Sequence, residues 1–523
     1  MDLRYWLPRA AEVAERWGER FGPLRPHPSH LVDEADFAAA FERFAKRLEH
    51  NYPFFHPRYA GQMVKPPHPA AVVGYLTAMR FNPNNHAYEG GPATNDMERE
   101  CVAQLAAMFA LPAHVGHLTS SGTIANLEAL YVARQSHPGL GVAHSAQAHY
   151  THSRMCHVLG VESHAVAADA EGRMDVGALE ELLRTGRVGT VVVTCGTTGP
   201  GAVDPVHEIL PLARRYGARV HVDAAYGGFF ALLAADDALA ASLGVDTAPW
   251  RAVAGCDSVT VDPHKHGLQP YGCGAVLFAD PGIGRHFAHD SPYTYFTDAE
   301  LHLGEISLEC SRAGASAAAL WLTLQLLPLT PEGLGAGLAA SRRAALAWAE
   351  LIDNSDELTL HQRPQLDILT YFPTVPGTPA PALSAIDAAS EHVLRRGMAD
   401  ERDPVYLSVL RVDAADFTRR HPGVRADAGG ARVLRSVLIK PEAEEWVEPL
   451  HARVTALAAA AGAAGAAGAA GAAGAAGATA ASRAPDVTAA PGTTGTTGTT
   501  DTTDVTVDPP SPSSAPSFEE SAR

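Results

Sequence analysis

Among the residues that carry charge, lysine is the one this chain has least of. Lys46, Lys65, Lys265 and Lys440 are its four lysines in 523 residues, and arginine supplies nearly all the remaining positive charge. Acidic residues outnumber basic ones 58 to 40, for a formal net charge of −18. An acidic surface repels nucleic acid and anionic membrane, which excludes both as main partners. Cysteine is sparse as well: Cys101, Cys156, Cys195, Cys256, Cys273 and Cys310 are scattered, with no CxxC pair and no tight cluster. That spread argues against a disulfide framework or a zinc site and fits reduced thiols in a cytoplasm. Long apolar runs are missing too. No window approaches the roughly 18–20 strongly apolar residues of a membrane span. The first twenty residues, MDLRYWLPRAAEVAERWGER, carry charges throughout, where a secretory leader would be apolar. The expectation is a soluble, cytoplasmic protein with no bound metal.

At this length two or three domains and a large buried core are expected. Residues 1 to about 50 have helical patterning, broken near Pro23, Pro26 and Pro28. NYPFFHPRYAGQMVKPPHP (51–69) is too rich in proline for a regular helix or a central strand and reads as an irregular loop. NPNNHAYEGGPATNDM (82–97) is dense in turn formers and leads into a helix stopped by Pro112. Next, LTSSGTIANLEALYVARQSH reads as a turn feeding a helix that begins near Gly122, a place where free backbone N–H groups and the helix dipole favour an anion. The pattern then alternates. VGTVVVTCG (188–196), ARVHVDAAYGG (218–228), SVTVDPHK (258–265) and GCGAVLFAD (272–280) are strand candidates separated by helical stretches. Such alternation predicts an α/β fold with a parallel or mixed sheet covered on both faces. Ligands of such sheets bind beyond the carboxyl ends of the strands, where Asp223, Thr197 and Lys265 all fall. Boundaries are placed at an N-terminal segment (1–85), a large domain (86–330), a small α+β domain (331–457) and a tail (458–523). In the tail, Gly462, Gly465, Gly468, Gly471, Gly474 and Gly477 recur every third residue among alanines, before Gly-Thr-Thr repeats. Repeated glycine costs a helix about 1 kcal/mol each, so the tail is expected to be disordered.

The centre of the chemistry is residues 259–274, VTVDPHKHGLQPYGCG. Arginine cannot lose its proton, whereas a desolvated lysine amine can form a Schiff base. An aldehyde cofactor with a phosphate and a pyridine ring needs such a lysine, a helix N-terminus for the phosphate, and a carboxylate to keep the ring nitrogen protonated. It also needs a flat side chain over the ring. Lys265, the Gly122–Thr123 turn, Asp223 and His149 fill these places in that order. Alone, each has a plainer reading: Asp223 as a helix cap, His149 as a core histidine, Arg435 as an ion-pair partner.

Together and in order these segments resemble the pyridoxal-phosphate-dependent amino-acid decarboxylases of fold type I, the group containing glutamate, tyrosine and aromatic-amino-acid decarboxylases. The resemblance covers roughly residues 50–450. It implies an aspartate aminotransferase-like fold, with a mostly parallel seven-stranded sheet in the large domain, a small C-terminal domain, and a homodimer with shared active sites. HVDAAYGG is similar to the family's aspartate motif, making Asp223 the ring-nitrogen partner. DPHK is similar to the lysine motif, with Lys265 carrying pyridoxal 5′-phosphate and His264 near the phosphate. AHYTHSR (148–154) supplies His149 over the ring. SSGTIANL supplies Ser121, Gly122 and Thr123 for the phosphate, and CGTTGPGAVDP places Thr197 near the ring. HPRY (56–59) matches a substrate-side loop containing Tyr59, and RSVLIKP implies Arg435 as the group that binds the substrate carboxylate. Tyr293 and Tyr295 are the candidates for protonating Cα. The implied activity is α-decarboxylation of an L-amino acid. HKHGLQPYGCG is also similar to sphingosine-phosphate lyase, so an aldehyde lyase is the alternative in the same cofactor class, and a non-catalytic cofactor-binding scaffold is the alternative outside it.

Overall fold

β-Branched runs with no polar alternation form strands buried on both faces, and they set the frame of this molecule. The computed structural model describes residues 1–287, 303–377 and 380–480. Its central sheet has seven strands: β1 (Val115–Thr119), β2 (Gly141–Ser145), β3 (Ser163–Val166), β4 (Val188–Thr194), β5 (Arg219–Asp223), β6 (Ser258–Val261) and β7 (Gly274–Phe278). Their order is β1-β7-β6-β5-β4-β2-β3. Pairing is parallel from β3 through β6. β7 runs antiparallel to both β6 and β1, so it is the one reversed strand of this sheet. Strand β4, VGTVVVT, is buried along its whole length.

Because β1 runs in the same direction as the parallel strands, its end at Thr119 lies on the same sheet edge as the ends of β5 and β6. The chain leaves that edge through Ser120 and Ser121 into a helix, Gly122–Ser136, with Ser121 Oγ accepting from the Ile124 N–H at 3.3 Å as its N-cap. A second sheet is wholly antiparallel: β8 (Leu358–Gln362), β9 (Ile368–Pro373), β10 (Ser408–Asp413) and β11 (Gly430–Val437), in the order β10-β11-β9-β8. Trp348 and Tyr371 are fully buried in the core beside it. The expected α/β fold with a larger, mostly parallel sheet and a smaller sheet is what forms.

The N-terminal segment contains α1 (Leu3–Gly18) and α2 (Glu34–Leu48), and α2 has no buried residue. At the other end, a helix runs from Val447 to Ala480, so the tail boundary drawn at 457 falls inside a helix. Leu457, Ala458 and Ala461 are buried. The expectation of disorder from residue 458 is therefore corrected for 458–480. Alanine, the best helix former, fills most of the positions between the glycines, and the first turns are anchored by packing of Val447, Leu450, Val454 and Leu457. Met1–Ala469 form one compact unit, and a second begins at Ala470. No helix among the described residues is long and apolar enough to cross a membrane.

Candidate active site

Beyond the carboxyl ends of β5 and β6 lies a cavity of about 240 Å3. Ser121, Gly122, Thr123, His149, Asp223, His264 and Lys265 all line it. Seven residues drawn from four separate stretches of sequence are thus brought to one place.

Lys265 follows β6 by four residues, in a tight turn closed by its own N–H donating to the Asp262 carbonyl at 2.9 Å. Its ammonium stands 3.0 Å from Asp262 Oδ2. The other oxygen of that buried carboxylate, Oδ1, has no hydrogen-bond partner. Asp262 also abuts the helix start, since a Cβ built on Gly122 would fall 2.6 Å from Oδ2. Glycine is required there by close approach. His264 Nδ1 bonds the Cys273 carbonyl at 2.8 Å, which fixes its ring at the cavity wall.

Asp223 ends β5. Burial works to raise its pKa, but the hydrogen bond and charge of His152, the nearby Lys265 and the Ala225 N–H together hold it well below the usual carboxylate range. His152 Nε2 lies 2.7 Å from Asp223 Oδ2, and the Ala225 N–H donates to Oδ1 at 3.1 Å. An ionised carboxylate only accepts, so His152 donates from Nε2. His152 was not singled out in the sequence, although AHYTHSR contains it three residues after His149. That spacing puts both on one side of the helix Thr151–Leu159 and its entry turn. His149 itself is half-buried, and its Nδ1 accepts from the Thr151 N–H at 3.2 Å. Burial, with the charge of Lys265, lowers its pKa, so the ring is a neutral flat face.

Three sequence candidates sit elsewhere. Thr197 is fully buried and does not line the cavity; its Oγ1 accepts from the Ala202 N–H at 2.9 Å and closes the loop, while Gly196 and Thr198 line the cavity on either side of it. Arg435, on β11, donates from Nε to the Gly199 carbonyl and from Nη1 to the Gly61 carbonyl and Ser408 Oγ, leaving Nη2 without a partner. Tyr59 is 6% exposed and packs on Tyr406 and Phe54, with its carbonyl bound by Lys440. Tyr293 and Tyr295 lie outside the described residues.

The donor set fits a phosphorylated pyridine aldehyde. Thr151 Oγ1, Thr194 Oγ1 and Asp262 Oδ1 are buried polar atoms without partners, all on residues of the cavity wall. A helix N-terminus opens into the same space, and an ionised acid and a lysine share it.

Residues 27–371 match the profile of the pyridoxal-dependent decarboxylase conserved domain. The chain belongs to this family. It is a pyridoxal-phosphate-dependent carboxy-lyase acting on an L-amino acid. The chain is 27% identical over 421 residues to L-tyrosine decarboxylase of Enterococcus faecium, covering 62% of this chain and 69% of that protein. It is 33% identical over 268 residues to a probable L-aspartate decarboxylase of Halobacterium salinarum, covering 50% and 71%. It is 31% identical over 369 residues to L-2,4-diaminobutyrate decarboxylase of Rhizobium meliloti, covering 65% and 72%. Among solved structures, mouse CSAD aligns with a TM-score of 0.69 at 21% identity over 85% of this chain and 91% of that one. Oryza sativa TDC with PLP and tryptamine aligns with a TM-score of 0.69 at 18% identity over 87% and 98%. At these identities the structural likeness speaks for the fold.

Proposed function

We propose that this decarboxylase works through Lys265, Asp223, His152, His149, the Ser121–Thr123 turn and Arg435. The observation that carries the assignment is that a lysine, an ionised buried acid and a helix N-terminus open into one cavity. When bound, pyridoxal phosphate supplies a carbonyl for the substrate amine and a protonated ring that draws electrons from Cα. Asp223 contributes a fixed negative charge, kept ionised by His152, that favours a proton on a ring nitrogen facing it. The backbone N–H groups of residues 121–123 and the dipole of their helix receive the phosphate. Neutral His149 offers a flat surface without placing a competing positive charge beside the ring. Asp262 orients the Lys265 amine.

Arg435 is proposed to hold the substrate α-carboxylate through its unpartnered Nη2. A carboxylate held there would have its position fixed by the arginine, which would decide which bond at Cα is presented for cleavage. Release of CO2 and amine from the twenty amino acids plus ornithine, diaminobutyrate and 3,4-dihydroxyphenylalanine tests the reading. Arg435→Gln should raise KM at least about tenfold, by loss of a charge-assisted bond. Release of an aldehyde from a phosphorylated amino alcohol, with no CO2 from any amino acid, would favour the lyase alternative.

The protein is also proposed to be a cytoplasmic homodimer. All six cysteines are free and five are buried, which suits a reducing compartment. Phe37, Phe41, Phe44 and Leu48 recur at helical spacing on α2 and are exposed in the single chain, an apolar stripe that a second copy would cover. Sedimentation showing an active monomer would refute the dimer.

A further inference from the structure

Asn126 is a polar side chain of the active-site wall that takes no part in the site described above. It is 1% exposed and lines the cavity. Four residues after Gly122 in the helix Gly122–Ser136, it faces the same way as that glycine, one turn further in. Its Oδ1 lies 2.8 Å from His221 Nε2, and His221 Nδ1 lies 2.8 Å from Ser258 Oγ. His221 and Ser258 stand opposite each other in the β5–β6 register. A line of polar contacts thus crosses from β6 through β5 to the helix that begins at the anion-receiving turn.

An amide oxygen only accepts, so the bond to Asn126 requires the His221 proton on Nε2. Burial keeps that ring neutral, lowering its pKa to about 3. A neutral ring protonated on Nε2 leaves Nδ1 to accept from the Ser258 hydroxyl. With Oδ1 committed to His221, the two N–H donors of Nδ2 have no hydrogen-bond partner among the described residues, and the cavity is the space left open to them. Donors buried this far and met by no protein acceptor are costly to keep unless a ligand supplies one. The opposite amide orientation would present an oxygen to a space where Asp262 Oδ1 is already an acceptor without a donor.

We infer that Asn126 is a further cofactor-holding residue, donating from Nδ2 to the phosphate, and that His221 is the positioning residue that keeps the amide turned toward it. The inference rests on the reading of Ser121–Thr123 as the turn that receives the phosphate. A pyridine nitrogen that faces Asp223 carries a proton and offers a donor nothing. The phosphate, by contrast, brings charged acceptor oxygens to the face of the helix that bears Asn126. His221 stands two residues before Asp223, on the same face of β5. One strand thereby serves both ends of the ligand, the ring through Asp223 and the phosphate through His221 and Asn126.

The test is fluorescence titration of the full-length apo-protein with pyridoxal 5′-phosphate and with pyridoxal, which lacks the phosphate. Asn126→Ala should weaken pyridoxal phosphate by about tenfold or more, the scale of a hydrogen bond to a charged group, and pyridoxal by less than about twofold. Asn126→Asp is nearly the same size and keeps an acceptor for His221 but loses the donor. It should weaken pyridoxal phosphate at least as much, because a carboxylate opposes the phosphate, and it decides the matter if the alanine variant misfolds. His221→Leu should weaken pyridoxal phosphate by about threefold or more and add nothing further when combined with Asn126→Ala. His221→Gln, whose amide can donate to the same oxygen, should restore binding. Equal losses for pyridoxal and pyridoxal phosphate, or no loss for either, overturn the inference and leave the decarboxylase reading standing. Additive losses at Asn126 and His221 overturn the positioning role. If the unaltered apo-protein binds both compounds equally, the Ser121–Thr123 turn does not receive the phosphate, and that reading falls together with the inference.

Discussion

Replacing His152 with phenylalanine probes the acid at the heart of the site without touching it. In the native chain Asp223 holds two hydrogen bonds, one from His152 Nε2 at 2.7 Å and one from the Ala225 N–H at 3.1 Å. Removing the imidazole leaves a carboxylate buried to 4% exposure with one backbone donor. Stripping a partner from a buried charge costs roughly 3–5 kcal/mol when the charge stays. Protonation relieves part of this at about 1.4 kcal/mol per pH unit, so a loss of about 2–4 kcal/mol at pH 7.5 is expected. The pH dependence fixes the cause. In the native protein the folded pKa of Asp223 lies below its unfolded value, so its stabilisation is present above about pH 4 and is lost as pH falls through the folded value. In the variant, burial is opposed by less, the folded pKa rises above the unfolded one, and stability is regained as pH falls from neutral. The gap between the two proteins is therefore widest near pH 8 and narrows toward pH 5, while Asp367, which burial pushes up to about 6, titrates in both and cancels. Urea unfolding of the cofactor-free proteins across that range measures the gap. Adding Asp223→Asn to the variant should recover much of the loss, because no charge is left stranded. A gap equal at pH 5 and pH 8, or a double variant no better than the single, would refute the reasoning.

Lys265→Ala should abolish turnover and the absorbance of protein-bound pyridoxal phosphate. Borohydride treatment of the unaltered enzyme should tag the peptide containing Lys265, and a tag on any other peptide would overturn that assignment. Gly122→Ala places a Cβ 2.6 Å from Asp262 Oδ2, so a loss of about 1–3 kcal/mol in apo-protein stability is expected, with weaker cofactor binding seen in a fluorescence titration. Ending the chain after residue 456 removes Leu457, Ala458 and Ala461 from the core and should cost roughly 2–5 kcal/mol by the scale of large core deletions; ending it after residue 480 should leave the melting temperature unchanged.

The fold was legible because β-branched runs and helices alternate, and that alternation constrains a sheet strongly. The ends of β5 and β6 were legible for the same reason, and with them Asp223 and Lys265. What the sequence concealed depends on contact across distance. Thr197 and Thr198 are chemically identical neighbours, and only the turn geometry that ties Thr197 to Ala202 decides which of them meets the cavity. The lysine motif was read for its lysine, so Asp262 three residues earlier went unassigned, although its carboxylate touches both Lys265 and the start of the helix at Gly122. His152 lay in a motif already quoted, hidden behind the histidine before it. The helix through Ala480 was missed because glycine every third residue was weighed without the alanines between them or the packing of the turns that precede them.

A single reversed strand explains why these groups converge. β1 and the parallel strands deliver their carboxyl ends to one edge, and at that edge three chain segments end: one at the Ser121–Gly122 helix start, one at Asp223, one shortly before Lys265. β7 then returns from that edge, beginning at Gly274, where a Cβ would stand 2.6 Å from the Ser121 carbonyl carbon and 2.9 Å from the Gly122 nitrogen. Glycine on both sides of that contact lets the strand after the lysine turn pack directly against the helix start. The lysine and the anion-receiving turn are thereby held by backbone against backbone, which keeps their spacing independent of side-chain rotamers. The Asp223 carboxylate is held separately, by His152 from the helix Thr151–Leu159. The lysine turn and the helix start are thus spaced by backbone, whereas the charge on Asp223 depends on a side-chain partner.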